Sequence, residues 1–521
     1  MATGSRPPIR LDVDGRAVEV PDRGQSLLAV LREDLQVTSP KDGCSPQGQC
    51  GCCTVLVDGQ PRVSCVTPAR RVAGRSITTV DGLHPDRQQR WAQAFTATGG
   101  SQCGFCTPGI VCRLEGLAQR SPDADRPAVE QALLAHLCRC TGWRTILDAW
   151  DVVRDGSPVD VTDRDLEAAS RRAEIEGGTP QRVHPEVALG RGGFADDTAP
   201  AGALVAVPDG AGGWAVGETL AEARAAAGKI QGRRTTVDPH PPIEAPPGDW
   251  AAVLRTTWVE PAYLEPDAAW CEPGGTPTSP LANGGAFGGK LDSPVVAAAR
   301  ALADQHGRPV RVLLNREDTV RLGPKRPPLS GGALADGTGA VRVARTPGIA
   351  AAIAAVAPDL TVEEVDVAGP PTSSALRAAG WAEATVLLAG ARRALTPIVD
   401  PTTGARAEAE IVDGTVRVQV QAGDVVDETV LRSYCTGAAH MALSWVSSEG
   451  LAVDDDGTVH DLTIRSFGIL RATETPPIEI EVLPGDGPPV RGSDAVFAAV
   501  AAAAWLHGGC IPDWPTGQRW R

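Results

Sequence analysis

The first twenty residues of the chain alternate in polarity. Ile9, Leu11 and Val13 fall on one face of a strand, and Ala17, Val18 and Val20 sit on a second. Asp14-Gly15 between them is a hairpin turn signal, because both residues tolerate the positive φ that such turns need. Ser26 is placed to cap a helix over "LLAVLRED". "TVLVDG" reads as a third strand, Asp58-Gly59 as its turn and "PRVSC" as a fourth strand. The period then changes. "PGIVCRLEGLAQR", with Pro108 near its start, and "PAVEQALLAHLCRC" repeat apolar residues at helical spacing. Residues 154–185 carry many charges and few large apolar groups, which predicts a linker with one short exposed helix. "DPHPPIEAPPGDW" predicts a second loose connector. Near the end, "DAVFAAVAAAAWLHGG" is apolar and alanine-rich but too short to span a membrane.

A chain of 521 residues accommodates roughly three domains. Its formal net charge is −15 and no basic run offsets it, so neither nucleic acid nor a membrane surface is an expected partner. "MATGSRPPIRLDVDG" lacks the apolar core of a secretory signal. The expected location is the cytoplasm, where thiols stay reduced and a cysteine cluster binds metal or performs catalysis. Ten of the thirteen cysteines lie between Cys44 and Cys140, and only Cys271, Cys435 and Cys510 follow, so the thiol chemistry belongs to the first third.

That third holds two cysteine sets. In "KDGCSPQGQCGCCTVLVDG", Cys44, Cys50 and Cys53 are spaced C-x5-C-x2-C, and Cys65 supplies a fourth thiol. Plant-type [2Fe–2S] ligation uses C-x4-C-x2-C with a distant fourth cysteine. The order of two strands, a helix, this loop and two strands resembles a β-grasp, the plant-type ferredoxin fold. Gly43, Gly48 and Gly51 let backbone N–H groups approach the sulfurs, whose charges need that support. The extra residue in the first spacing bulges the loop or shifts the choice of ligand. Cys52 reads as a buried spare. The second set is Cys103-x2-Cys106 and Cys138-x-Cys140, each pair at the end of a helical pattern, which together make a four-sulfur cage. Zinc is the alternative, since CxxC knuckles favour it. The CxC pair is unusual for a zinc ribbon and the first loop has the ferredoxin order, so iron–sulfur is favoured over zinc or disulfides. Cys112 falls in an apolar helical stretch and reads as a small buried hydrophobe.

Other motifs weigh less. Gly284-x4-Gly289-Lys290 nearly spells a phosphate-binding loop, but Leu291 stands where Ser or Thr would bind Mg²⁺. His306 reads as a polar residue at a helix end, and His240 lies on the proline-rich connector.

"GCSPQGQCGCCTVLVDG", "SQCGFCTPGIV" and "LCRCTGWR", in this order, resemble the iron–sulfur module of the xanthine dehydrogenase and aldehyde oxidase family, the molybdenum hydroxylases. The resemblance covers residues 8 to about 153. It implies a β-grasp domain with one [2Fe–2S] cluster and a four-helix domain with the other. It also implies electron flow from a molybdopterin centre through the helical cluster and the ferredoxin-like cluster to FAD. Gln102 stands where the family's residue before CGFC approaches the pterin. Later segments, including "GGAFGGKLDSPVVAAARALADQHGRPVRVLLNREDTV" and "SSALRAAGWAEA", resemble the family's molybdenum-binding region in shortened form. The fold class implied is α+β and multidomain: residues 1–85 a β-grasp ferredoxin-like domain, 86–153 a helical [2Fe–2S] domain, 154–185 a linker and 186–521 a shortened, degenerate α/β molybdopterin-binding-like domain.

Departures from the family carry the functional expectation. Between Cys271 and Gly284 only "EPGGTPTSPLAN" remains of a long segment. Ser433 and His440 stand in the region that corresponds to a pterin-contacting glutamine. The family's general base is a Glu following Gly; this chain reads Gly492-Ser493-Asp494, and Ser493 has no carboxylate. The expected function is therefore an electron-transfer subunit of a molybdenum hydroxylase. Its metal ligands are Cys44, Cys50, Cys53 and Cys65 for one cluster, and Cys103, Cys106, Cys138 and Cys140 for the other. Gln102 is the cofactor-side residue, and the molybdopterin cofactor and FAD reside on partner subunits. The region from 186 onward is expected to dock on the molybdenum subunit, so a chain cut at residue 190 would keep both clusters and lose that partner. One alternative is a compact molybdenum hydroxylase using Asp494 or Glu449 as base. Another is a non-catalytic assembly protein with structural clusters.

Overall fold

The computed structural model describes residues 7–156, 161, 163–228, 237–460 and 462–520. The extreme start of the first expected domain and part of the expected linker lie outside the described residues.

The hairpin forms as the alternation requires. β1 (Ile9–Val13) pairs antiparallel with β2 (Arg16–Val20) around Asp14 and Gly15, both at positive φ. Ser26 Oγ accepts from the Ala29 N–H and caps α1 (Leu27–Ala29), which widens into a π-helical turn over Val30–Asp34. β3 (Thr54–Val57) and β4 (Gln60–Val63) follow the cysteine loop. A further strand, β5 (Ser76–Thr78), runs parallel to β1 and gives the sheet order β2-β1-β5-β3-β4. Ile9, Leu11, Val13, Val55, Val57 and Ile77 meet beneath α1 as one apolar core.

Four helices come next: α2 (Pro85–Thr98), α3 (Thr107–Ala118), α4 (Arg126–Ala132) and α5 (Arg144–Arg154). Trp91, Phe95, Leu114, Trp143 and Trp150 fill the space between them. The pattern extended α4 to the cysteines, but the helix ends earlier. Leu133–Ala135 tightens into a 3₁₀ turn and His136 is extended, which places Cys138 and Cys140 on a loop.

The expected linker contains α6 (Leu166–Gly177), and this helix is packed, not exposed. Ala168, Ala169, Arg172, Ala173 and Glu176 are buried on one face. Three alanines allow close approach to a neighbouring helix, and the i,i+4 pair Arg172–Glu176 buries its two charges together.

Residues 185–520 add short helices α7 (Pro185–Ala188) and α8 (Ala195–Thr198), then β6 (Leu204–Pro208), β7 (Trp214–Gly217), α9 (Leu220–Ala227), β8 (Ala252–Arg255) and β9 (Ala268–Cys271). α10 (Val295–His306), β10 (Val310–Leu313), α11 (Arg316–Leu322), β11 (Leu329–Ala333), β12 (Gly339–Ala344), α12 (Ile349–Ala354), β13 (Leu360–Val365) and α13 (Trp381–Arg392) continue the chain. It closes with β14 (Ile398–Val399), β15 (Arg406–Val412), β16 (Thr415–Gln421), α14 (Glu428–Ser447), β17 (Ile478–Val482) and α15 (Ser493–His507). The strands form three four-stranded sheets: β7-β6-β10-β9, β13-β12-β11-β8 and β14-β15-β16-β17. α15 is buried on all sides from Ser493 to Trp505, as a helix apolar all round must be, and packs on α13, α14 and β15. Ser433 and His440, which the resemblance sets in the region of a pterin-contacting glutamine, are helical here, inside α14. No helix among the described residues is long and apolar enough to cross a membrane.

Candidate metal centres

The first cysteine loop turns on glycines that side chains could not replace. Gly51 has φ +73°, and a Cβ there would lie 2.5 Å from the His136 ring. The loop brings Cys44, Cys50, Cys53 and Cys65 together, all buried. The Cys44 thiol meets those of Cys50 and Cys65, and Cys65 also meets Cys53. Hydrogen bonds from the Cys50 and Cys65 thiols, then from the backbone N–H groups of Gln49 and Cys50, hold the Cys44 thiol well below the usual range. The Gln47 N–H also donates to Cys44 Sγ, at 3.3 Å.

The second set assembles where α3 begins and where the loop after α4 returns. Cys103 and Cys140 place their sulfurs 3.6 Å apart, and Cys106 meets Cys138. The Cys106 thiol, with the Thr141 hydroxyl and nearby N–H groups, brings Cys138 down to about 7. Thr141 Oγ1 lies 3.1 Å from Cys138 Sγ. Cys103 is the least buried of the eight.

The donor sets discriminate between metals. A single zinc ion takes four ligands around one point. Among the described residues, no group of three or more His, Cys, Asp or Glu side chains is placed to hold one ion. The second set gathers as two contacting pairs and the first as a run from Cys50 through Cys44 and Cys65 to Cys53; a [2Fe–2S] cluster takes four cysteines, two per iron. The residues present fit that group at both sites.

The sites are bonded to one another. The Leu137 N–H, next to Cys138, donates to the Cys50 carbonyl at 3.0 Å. His136 Nε2 lies 3.1 Å from Thr54 Oγ1, next to Cys53. Burial drives the His136 ring down to about 3, so it is neutral here.

The other sequence-derived positions are brought near these centres but are already engaged. Gln102 Nε2 donates to the Cys140 carbonyl at 2.8 Å and to Ser433 Oγ at 3.0 Å, and the cavity beside them is about 10 Å³. His440 is fully buried, with Nε2 3.0 Å from the Leu470 carbonyl. Glu449 receives both ends of the Arg139 guanidinium, one at 2.8 Å; Arg139 is the residue between Cys138 and Cys140. Asp494 pairs with Arg377 at 3.0 Å and Arg491 at 3.2 Å, and Arg377 also reaches Ser493 Oγ. The cavity between Arg139, Phe287, Arg377 and Trp445 holds about 30 Å³. Lys290 of the near phosphate loop pairs with Glu265 and donates to the Pro280 carbonyl.

Glu176 of α6 has no counterpart among the residues that the sequence singled out. Its carboxylate accepts from the Gly492 N–H at 2.9 Å and the Ser493 N–H at 3.0 Å, at the start of α15. The signal for it was the buried face of small residues around an i,i+4 ion pair.

Comparison with known proteins places the first third in a known family. The [2Fe-2S] binding domain family matches residues 79–151. A probable xanthine dehydrogenase subunit of Bacillus subtilis is 38% identical over 139 residues, which are 26% of this chain and 80% of that one. The chain belongs to the xanthine dehydrogenase and aldehyde oxidase family, the molybdenum hydroxylases. In Eubacterium barkeri, the small FeS component of nicotinate dehydrogenase is 37% identical over 137 residues, 26% of this chain and 87% of that one. The fold likeness extends further than the sequence. The aldehyde oxidoreductase of Desulfovibrio gigas superposes with a TM-score of 0.69 at 16% identity, covering 96% of this chain and 97% of that one. Within the molybdenum hydroxylases, the iron–sulfur module thus carries the detectable sequence kinship, and residues beyond it keep the fold.

Proposed function

We propose that this chain is a two-cluster electron-transfer subunit of a molybdenum hydroxylase. It accepts electrons from a molybdenum centre on one partner subunit and delivers them to FAD on another. Cys103, Cys106, Cys138 and Cys140 hold the first cluster reached, and Cys44, Cys50, Cys53 and Cys65 the next. When bound, the clusters supply one-electron carriers. The protein supplies the path between them: the Cys50 carbonyl and the Leu137 N–H link a ligand of one site to the neighbour of a ligand of the other through one 3.0 Å hydrogen bond. That bond is the observation on which the reading rests. Burial of seven of the eight thiols keeps water from the sulfurs, and the intermediate exposure of Cys103 makes its edge the place for electrons to enter. Val66, beside Cys65, is 55% exposed and apolar, which suits an exit face toward a partner.

In this reading residues 186–521 are a shortened molybdopterin-binding-like domain that holds no molybdopterin of its own. A bound organic cofactor needs roughly 300 Å³ or more. The spaces beside Gln102 and beside Arg377 offer about 10 and 30 Å³. Gln102 and Ser433 bond each other, and Glu176 occupies the two N–H groups that lead into α15. Around Gln102 and Arg377 the residues leave no room for that cofactor; a cavity of about 380 Å³ opens beside Asp494 and Arg491 but is lined by neither Gln102 nor Arg377. A compact, self-contained enzyme is the second reading, favoured by the fold likeness along nearly the whole chain.

Low-temperature electron paramagnetic resonance of the reduced protein tests the assignment. Two distinguishable signals are expected, because the sites differ in spacing and surroundings. Cys106→Ser disturbs one of them. A single signal, or equal loss of both, overturns the two-site reading.

A further inference from the structure

The first site contains five thiols, one more than a [2Fe–2S] cluster uses. We propose that Cys52 is a reserve iron ligand, able to take the place of Cys50. The inference rests on the reading that this site holds such a cluster.

Three observations separate Cys52 from an ordinary buried cysteine. It is 0% exposed, and its thiol lies close enough to the Cys50 thiol to act on it. Its Sγ lies 3.9 Å from the Cys50 carbonyl oxygen, so it folds back toward that ligand and not away into the apolar core. A methyl group built on Gly43 would meet Cys50 Sγ and Cys52 Sγ at the same distance, 3.2 Å. The two sulfurs therefore face one hollow and lie at most twice that distance apart. Glycine at position 43 keeps the hollow open. Cys112 is the contrast: also buried, but set in α3 among Ile110, Val111 and Leu114, with burial as the chief influence on its thiol and no cysteine among the groups that act on it.

The exchange is a ligand substitution. Were the cluster bound, Cys52 would hand its proton to the Cys50 sulfur and take that sulfur's place as the thiolate ligand, one S–Fe bond replacing another. No iron changes oxidation state, and no other reactant is needed.

The full-length chain is compared as wild type, Cys50→Ala, Cys52→Ala, Cys53→Ala and the Cys50→Ala/Cys52→Ala double variant. Iron per chain and both paramagnetic signals are measured. The signal of the second site serves as an internal check on folding. Cys50→Ala and Cys52→Ala are each expected to keep both signals and near wild-type iron, with the first-site signal shifted in Cys50→Ala. The double variant, like Cys53→Ala, should lose the first-site signal and about half the iron. If Cys50→Ala alone loses as much as the double variant, the reserve role is wrong. If wild type shows no first-site signal, the underlying reading fails instead, a result distinguishable from the first.

Discussion

Arg139 sits between two ligand candidates of the second site, 3% exposed, and Glu449 is the carboxylate that balances it. Removing one partner of a buried pair leaves the other uncompensated, at a cost of about 3–5 kcal/mol. Glu449→Gln is therefore expected to lower stability by that order and to shift the second paramagnetic signal while leaving the first in place. Unchanged unfolding and an unmoved second signal would show that the pair has no such role. A base in catalysis is worth about 10²–10⁴-fold, and neither Glu449 nor Asp494 is free of arginine to act as one. Two buried histidines contribute to the pH response. His136 and His440 are both held to about 3 by burial, whereas an unfolded chain protonates them near 6.5. Between those values the unfolded state binds more protons, so the contribution of the two rings is complete above about pH 6.5 and falls as pH drops toward 3, by about 1.4 kcal/mol per unit for each ring. His440→Asn, which can still donate toward the Leu470 carbonyl, should flatten that fall in denaturant titrations from pH 7 to 4. An identical slope would argue against a neutral His440.

At the scale of elements, alternation and turn chemistry made the first hairpin, the Ser26-capped helix and the β3–β4 pair legible. Asp14-Gly15, the Ser26 cap and Asp58-Gly59 all perform the local roles their residue types dictate. β5 escaped because three residues carry too little periodicity, and it is held by neighbours on both sides. The eight candidate ligands were readable from spacing alone. The pairing of sulfurs was not, because it depends on how two distant loops meet. α6 was misread for a related reason. Its charges look solvated in sequence, yet Arg172 finds Glu176 one turn away and the Val490 carbonyl at 2.8 Å. Composition cannot reveal that partners lie 300 residues on. Glu176→Ala removes the acceptor for two N–H groups and strands Arg172. The expected loss is about 3–5 kcal/mol in denaturant unfolding. A loss within about 0.5 kcal/mol, the usual range for surface positions, would mean that α6 is the loose linker its composition resembles.

Across the whole molecule, residues beyond 186 do more than follow the iron–sulfur module. Arg316, fully buried, donates to the Gly43 carbonyl at 2.8 Å and the Leu264 carbonyl at 2.8 Å. Arg465 reaches the Gln49 carbonyl at 3.0 Å and the Leu134 carbonyl at 2.9 Å, so it clamps both cysteine loops. Gln47, inside the lengthened C-x5-C spacing, bonds Glu317 and the Leu462 carbonyl. These contacts alter the expectation for a chain cut at residue 190: the fragment would lose the clamp on its first site along with any partner face. Arg316→Ala should disturb the first-site signal and spare the second, at a stability cost of about 1–3 kcal/mol for the orphaned carbonyls. Equal disturbance of both signals would place its effect in general unfolding. Whether the chain carries two clusters and no molybdopterin is read out by metal analysis of the protein purified from a host that makes molybdenum cofactor. About four irons per chain and molybdenum far below one are expected; one molybdenum per chain would overturn the electron-transfer reading.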